Sequence, residues 1–186
     1  MYANFETLMQ ATIQRNPDSA MAHNNLGNIL LRKGRVEDAI IHLQTALKID
    51  PDYAEPHANL GSALFQNGQI DEALIEYQKS VEINPNFAGS QFNLGMTLFQ
   101  KGRVDEAITH YQRAVELSPN FPGSQFNLGS AFLQKGQVDE AIIYFQKALE
   151  INPNYPEAYN SLGFALYKKG RVDEAIESAQ QALQLV

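Results

Sequence analysis

Asparagines recur in this sequence at a fixed step. Asn25, Asn59, Asn93 and Asn127 stand 34 residues apart. An asparagine amide both donates and accepts, so it can pair with both halves of a peptide bond. Acids recur at the same step as adjacent pairs: Glu37-Asp38, Asp71-Glu72, Asp105-Glu106, Asp139-Glu140 and Asp173-Glu174. Neighbouring residues on a helix point about 100° apart, so these pairs do not make a general acid–base dyad. In a first helical turn they complement the positive end of the dipole. His23 and His57 share one column of the repeat, but a metal site needs more ligands in suitable geometry. The chain has no cysteine, hence no disulfide and no thiolate nucleophile. No glycine-rich phosphate loop follows a strand. The residue types therefore predict no catalytic group, no metal and no cofactor; they predict binding rather than an enzyme.

The elements that would position the asparagines follow from the same period. Gly27, Gly61, Gly95, Gly129 and Gly163 are 34 apart, as are Gly34, Gly68, Gly102, Gly136 and Gly170. Ala39, Ala73, Ala107, Ala141 and Ala175 keep the step, and so do Pro17, Pro51, Pro85, Pro119 and Pro153. The heptapeptide GSQFNLG stands at 89–95 and again at 123–129. Such self-similarity marks a repeat architecture. Within one unit, AEPHANLGSALFQNG has apolar residues at helical spacing and then a glycine able to end a helix in the left-handed region. The stretch IDEALIEYQKSVEINP opens with acids and closes at a proline. Each unit reads as helix A, turn, helix B, turn. The mid-helix glycine costs about 1 kcal/mol against alanine, so a neighbour must approach it closely; the alanine of helix B (Ala73 opposite Gly61) is the expected neighbour.

Bulk properties narrow the classes further. The chain is 44% hydrophobic and 19% charged, which suits a folded domain rather than a disordered segment. A net charge of −7 lacks the basic footprint that nucleic acid requires. No apolar run reaches the length of a membrane span, so direct membrane insertion is not expected. The opening MYANFETLMQ lacks the basic and apolar regions of a secretory signal. The expectation is a cytoplasmic chain, or a fragment of a larger, membrane-anchored protein.

The 34-residue step, the Leu-Gly pair of helix A, the helix B alanines (Ala39, Ala46 and their equivalents) and the closing proline together resemble the tetratricopeptide repeat. The resemblance covers nearly the whole chain. It implies an all-α fold, a right-handed superhelix of helix-turn-helix hairpins (an α-solenoid). The expected domain is single, 1–186, with a half repeat or capping helix at 1–19 and repeats at 20–53, 54–87, 88–121, 122–155 and 156–186. Where the family often carries tryptophan, this chain has His23, His57, Gln91, Gln125 and Tyr159.

In that family helix A lines a concave groove. By resemblance Asn25, Asn59, Asn93 and Asn127 face it, and an extended chain would meet one amide about every three residues, since helices lie roughly 8–10 Å apart and an extended residue spans about 3.3–3.6 Å. Phe65, Phe92, Phe99 and Phe126 would supply apolar contacts there, with Phe164 and Tyr167 in or near the groove. Gly89, Gly123, Ser90 and Ser124 would leave room at its edge. The asparagine column resembles that of O-linked N-acetylglucosamine transferases, and the first repeat boundary loosely resembles that of glycosyltransferases with tetratricopeptide tails. The lysine and arginine positions of the family's carboxylate clamp hold Asn24, Asn28, Asn59, Gly89 and Asn93 here, so no such clamp forms.

The expected function is a protein–protein interaction module that holds an extended or helical peptide. Two alternatives stand beside it. One is a self-assembling scaffold, a homo-oligomer through terminal helices, because Ala175, Ala179, Ala182, Leu183 and Val186 would expose an apolar face. The other is a non-catalytic substrate-recognition arm of a larger glycosyltransferase. At the start, Tyr2, Phe5, Leu8, Met9 and Ile13 are expected to cover the first repeat.

Overall fold

A computed structural model describes residues 2–185, with side chains from residue 5 onward. The Tyr2 side chain and Val186 lie outside the described residues. Eleven α-helices and no strand occur among the described residues: α1 Tyr2–Arg15, α2 Ala20–Arg32, α3 Val36–Ile49, α4 Ala54–Gln66, α5 Ile70–Ile83, α6 Ala88–Gln100, α7 Val104–Leu117, α8 Pro122–Gln134, α9 Val138–Ile151, α10 Pro156–Lys168 and α11 Val172–Gln184. They form two compact units, Met1–Asn93 and Leu94–Val186.

Local chemistry sets the helix ends. The turn after each even-numbered helix from α2 to α10 holds a glycine at φ between 74° and 79°, a left-handed conformation that carries little cost only without a Cβ. The next N–H reaches back to close the helix, as when Gln69 N–H donates to the Leu64 carbonyl at 2.9 Å and Gln137 N–H to the Phe132 carbonyl at 2.9 Å. Helices α1, α3, α5, α7 and α9 end with one residue left before the repeating proline: Asp50 has φ −136° and Asn152 φ −130°, the extended conformation that a following proline imposes. The paired acids lie in the first turns of α3, α5, α7, α9 and α11.

In the first unit, α1 packs on α2, α2 pairs with α3, and α4 packs on both α3 and α5. Glu6 accepts from Lys33 at 2.5 Å and from Arg35 at 3.2 Å, which fixes α1 to the turn after α2. The covering side of α1 differs from the expectation. Met9 and Ile13 are half-buried, whereas Phe5 and Leu8 are more than half exposed. In the second unit, α8 pairs with α9 and α10 with α11, while α7 packs on α8 and α9 on α10. Salt bridges Lys135–Asp105 and Lys169–Asp139, at 2.5 and 2.9 Å, link successive hairpins.

The mid-helix glycines do receive a close neighbour, but it is chiefly not the expected alanine. A Cβ on Gly61 would lie 2.8 Å from two ring carbons of Tyr77, and one on Gly129 would lie 2.9 Å from the Phe145 ring. Gly95 meets Tyr111 in the same way, and Gly27 meets Leu43. The alanine contributes its backbone: the Ala141 carbonyl would be 3.2 Å from that Cβ on Gly129. Tyr77, Tyr111 and Phe145 are among the most deeply buried side chains described. The hairpins of Gly27, Gly61, Gly95 and Gly129 are therefore keyed by a large side chain seated in a glycine notch.

Candidate functional site

The even-numbered helices present a half-open face. Asn25, Asn59, Asn93 and Asn127 are all half-buried, and so are Phe65, Phe92, Phe99 and Phe126. In the first unit part of the asparagine column is used internally. Asn59 Nδ2 donates to Asn24 Oδ1 at 2.8 Å, and Asn24 is buried. Asn93 Nδ2 approaches Ser62 Oγ at 3.5 Å, a long contact. Ser62 in turn donates to the Ala58 carbonyl at 3.0 Å and accepts from the Tyr77 hydroxyl at 3.1 Å. Asn59 keeps its carbonyl oxygen and a second amide hydrogen for other partners. The Asn25 and Asn127 amides make no hydrogen bond to protein among the described residues.

The aromatic residues divide. The Phe126 ring lies 5.7 Å from Phe145 and 5.1 Å from Tyr155, so it is packed on α9 and on the segment leading into α10. The open aromatic surface is on α10, where Phe164 is 54% and Tyr167 65% exposed. Lys168 Nζ stands 5.1 Å from the Phe164 ring centre. The repeated heptapeptide also departs from expectation. Ser90 and Ser124 are buried rather than at an edge, and Ser90 Oγ pairs with Ser80 Oγ at 2.6 Å. Gly123 leaves room for a ring of its own chain: a Cβ there would meet Phe121 at 2.9 Å.

Sequence reasoning missed a column of polar ties. His57 Nε2 lies 3.0 Å from the Pro51 carbonyl, and His23 Nε2 3.1 Å from the Pro17 carbonyl. Gln91 Nε2 donates to the Pro85 carbonyl at 2.9 Å, and Gln125 Nε2 to the Pro119 carbonyl at 3.2 Å. The signal was in the sequence: a donor sits six residues after each proline from Pro17 to Pro119. The other nitrogen of His57, Nδ1, is 2.6 Å from Glu76 Oε2, and Lys79 Nζ is 2.9 Å from Glu76 Oε1. The two His57 nitrogens thus face the Pro51 carbonyl and the Glu76 carboxylate. Burial pushes the Glu76 carboxyl up, but the hydrogen bonds from His57 and Lys79 outweigh it and hold it below the usual range. In the first hairpin His42 takes the place of Glu76, with its Nδ1 3.0 Å from His23 Nδ1. Burial, aided by the charge of His23, lowers the His42 imidazole.

No group of three or more histidine or acidic residues that could hold a metal ion occurs among the described residues, and no described helix is long and apolar enough to cross a membrane.

Sequence models of the TPR repeat match residues 27–68, 61–102, 95–136 and 129–170. Models of the tetratricopeptide repeat match 8–41 and 156–186. No curated protein matches the chain. Solved structures do. MamA is 29% identical, with 86% of this chain and 94% of that one covered and a TM-score of 0.79. The pilF protein of Pseudomonas aeruginosa is 29% identical, with 90% and 76% covered and a TM-score of 0.82. YrrB, described as a TPR protein with an unusual peptide-binding site, is 24% identical, with 95% and 91% covered and a TM-score of 0.81.

Proposed function

Because the chain belongs to the tetratricopeptide-repeat family, we propose that it is a protein–protein interaction module whose even-numbered helices hold a peptide segment of a partner. On this reading the repeats run from 20, 54, 88, 122 and 156, and an even-numbered helix starts at each of these residues. The observation that carries the reading is the half-open asparagine column, one amide per repeat from Asn25 to Asn127. Those amides grip the peptide backbone, which makes the contact tolerant of sequence. In the first unit Asn25, Asn59 and Asn93 act with Phe65 and Phe92. In the second unit Asn127 acts with Phe99, with Phe126 as a partly covered wall. Phe164 and Tyr167, both more than half exposed, add accessible aromatic surface. The further likeness of this column to that of O-linked N-acetylglucosamine transferases bears on how a backbone is gripped. Membership of a larger glycosyltransferase would be read from the full reading frame.

The test is an unbiased peptide library screened against the parent and against Asn93→Ala combined with Asn127→Ala. The parent is expected to select peptides, and the double variant to bind them at least tenfold more weakly. Equal binding by both would assign the asparagines to the scaffold. No selected peptide would end the groove reading. Light scattering on the same samples separates the second reading, self-association through α11. That reading is favoured by Ile176, which is 52% exposed although its equivalents Ile108 and Ile142 are 8% and 5% exposed. A mass that rises with concentration would support it, and a constant monomer mass would exclude it.

A further inference from the structure

We propose that the crevice between α3 and α5 is a second binding site, which takes a carboxylate-bearing peptide segment of a partner protein. It is independent of the asparagine column. Helices α3 and α5 both pack on α4 and leave a space of about 530 Å³, with Leu47, Pro51, His57, Leu60 and the cations Lys48 and Lys79 among its lining. A neighbouring lobe of about 330 Å³ carries Asp52, Glu82 and Ile83.

Charge decides the ligand. The acid in the main crevice, Glu76, is already engaged by His57 and Lys79. Lys48 has no acidic partner among the described residues, and it is exposed. The repeat supplies an internal comparison. Sixty-eight residues on, the positions of Lys48 and Lys79 hold Glu116 and Lys147, an acid and a base. The position of His57 there holds Gln125, and that of Glu76 holds Tyr144. With Glu76 counted, the α3/α5 crevice carries one positive charge in excess where its α7/α9 counterpart, with Glu116 and Lys147, is balanced, within a chain of net charge −7. Distant acids do little to oppose an anion here, because salt screens charges beyond about 8 Å at physiological ionic strength. A carboxylate would meet the unpaired Lys48, with Lys79, which is shared with Glu76, in the same lining, while its flanking apolar residue would rest on Leu47 and Leu60. Asp52 and Glu82 in the neighbouring lobe favour a basic residue beside the acid. The fitting segment therefore combines leucine-like, acidic and basic residues in close succession.

The probe is a fluorescein-labelled hexapeptide, Leu-Glu-Lys-Leu-Glu-Lys, read by fluorescence anisotropy. Its control has glutamine in place of both glutamates. The parent is expected to bind the acidic form at least tenfold more tightly than the control, with affinity falling as salt rises. Lys48→Glu and Lys48→Gln are expected to lose most of that preference. Lys147→Glu, and the Asn93→Ala with Asn127→Ala pair, are expected to leave it unchanged. Circular-dichroism melts of the Lys48 variants check that the fold is kept. No binding at millimolar protein, equal binding of both peptides, or a Lys48→Glu variant that binds like the parent would overturn the proposal. Loss of binding in the asparagine variant would move the probe to the other face and overturn it as well.

Discussion

Phe145→Ala is expected to cost about 3–5 kcal/mol of stability, the usual range for removing a fully buried ring. Phe145 is 0% exposed and fills the notch over Gly129. The notch makes the effect more specific than a lost hydrophobe. With the ring in place, Gly129→Ala puts its new methyl 2.9 Å from ring carbons, a contact that must be relieved by movement. Overpacking of this kind costs about 1–3 kcal/mol. The helix preference for alanine over glycine returns only about 1 kcal/mol. Once Phe145 is alanine, the obstruction reduces to the Ala141 carbonyl at 3.2 Å. The same Gly129→Ala change should then be close to neutral. Urea melts of the parent, the two single variants and the double variant would show coupling of at least about 1 kcal/mol. Additivity within about 0.5 kcal/mol would mean that the ring does not hold the glycine in place.

His57→Leu is expected to cost about 1–3 kcal/mol, because it removes a part-buried hydrogen bond to a backbone carbonyl and strips a donor from a largely buried carboxylate. The Pro51 carbonyl loses its side-chain partner, and Glu76 keeps only Lys79. His57→Gln should cost half as much or less. The chain already uses glutamine for this bond at Gln91 and Gln125. Thermal melts of the two variants decide the matter. If glutamine proves as damaging as leucine, the tie to the proline carbonyl is not what the column supplies, and the ion pair with Glu76 carries the effect instead.

The helices and their ends were legible because their causes are local. A glycine at φ near 75° and a residue held extended by the next proline each act within one turn. The asparagine column was legible as a 34-residue step, while the half-burial of its four members came from the structure. The partner of the glycine notch was not legible. Its column reads Leu43, Tyr77, Tyr111, Phe145 and Ala179, and such mixed types hide a shared role that the uniform alanines four residues earlier seemed to claim. Those alanines share a helix face with the ring, since residues i and i+4 lie one above the other. The Asn59–Asn24 bond was invisible for a different reason. It joins unlike positions of successive repeats, 35 residues apart, so no 34-residue column contains it. Ser90 looked like an open edge beside Gly89. It is buried, and its hydroxyl pairs with Ser80 on α5 of the preceding hairpin, a contact with no signature in the heptapeptide itself.

Ala179 gives the array a polarity in time. Four hairpins are locked by a bulky key, and the fifth has a methyl group where the key belongs, so Gly163 meets only the Ala175 carbonyl and small atoms of α11. Repeat arrays hold together through contacts within and between neighbours, so a weak hairpin opens without waiting for the rest. The α10–α11 pair should therefore be the first to unzip and the last to close. Backbone amides of α11 would exchange with deuterium well before those of α9. Equal protection in the two helices would mean that the missing key is compensated elsewhere. A partner that clasps the exposed aromatic surface of α10 would slow that opening. Capture of a ligand and mechanical firmness would then be two readings of the same event.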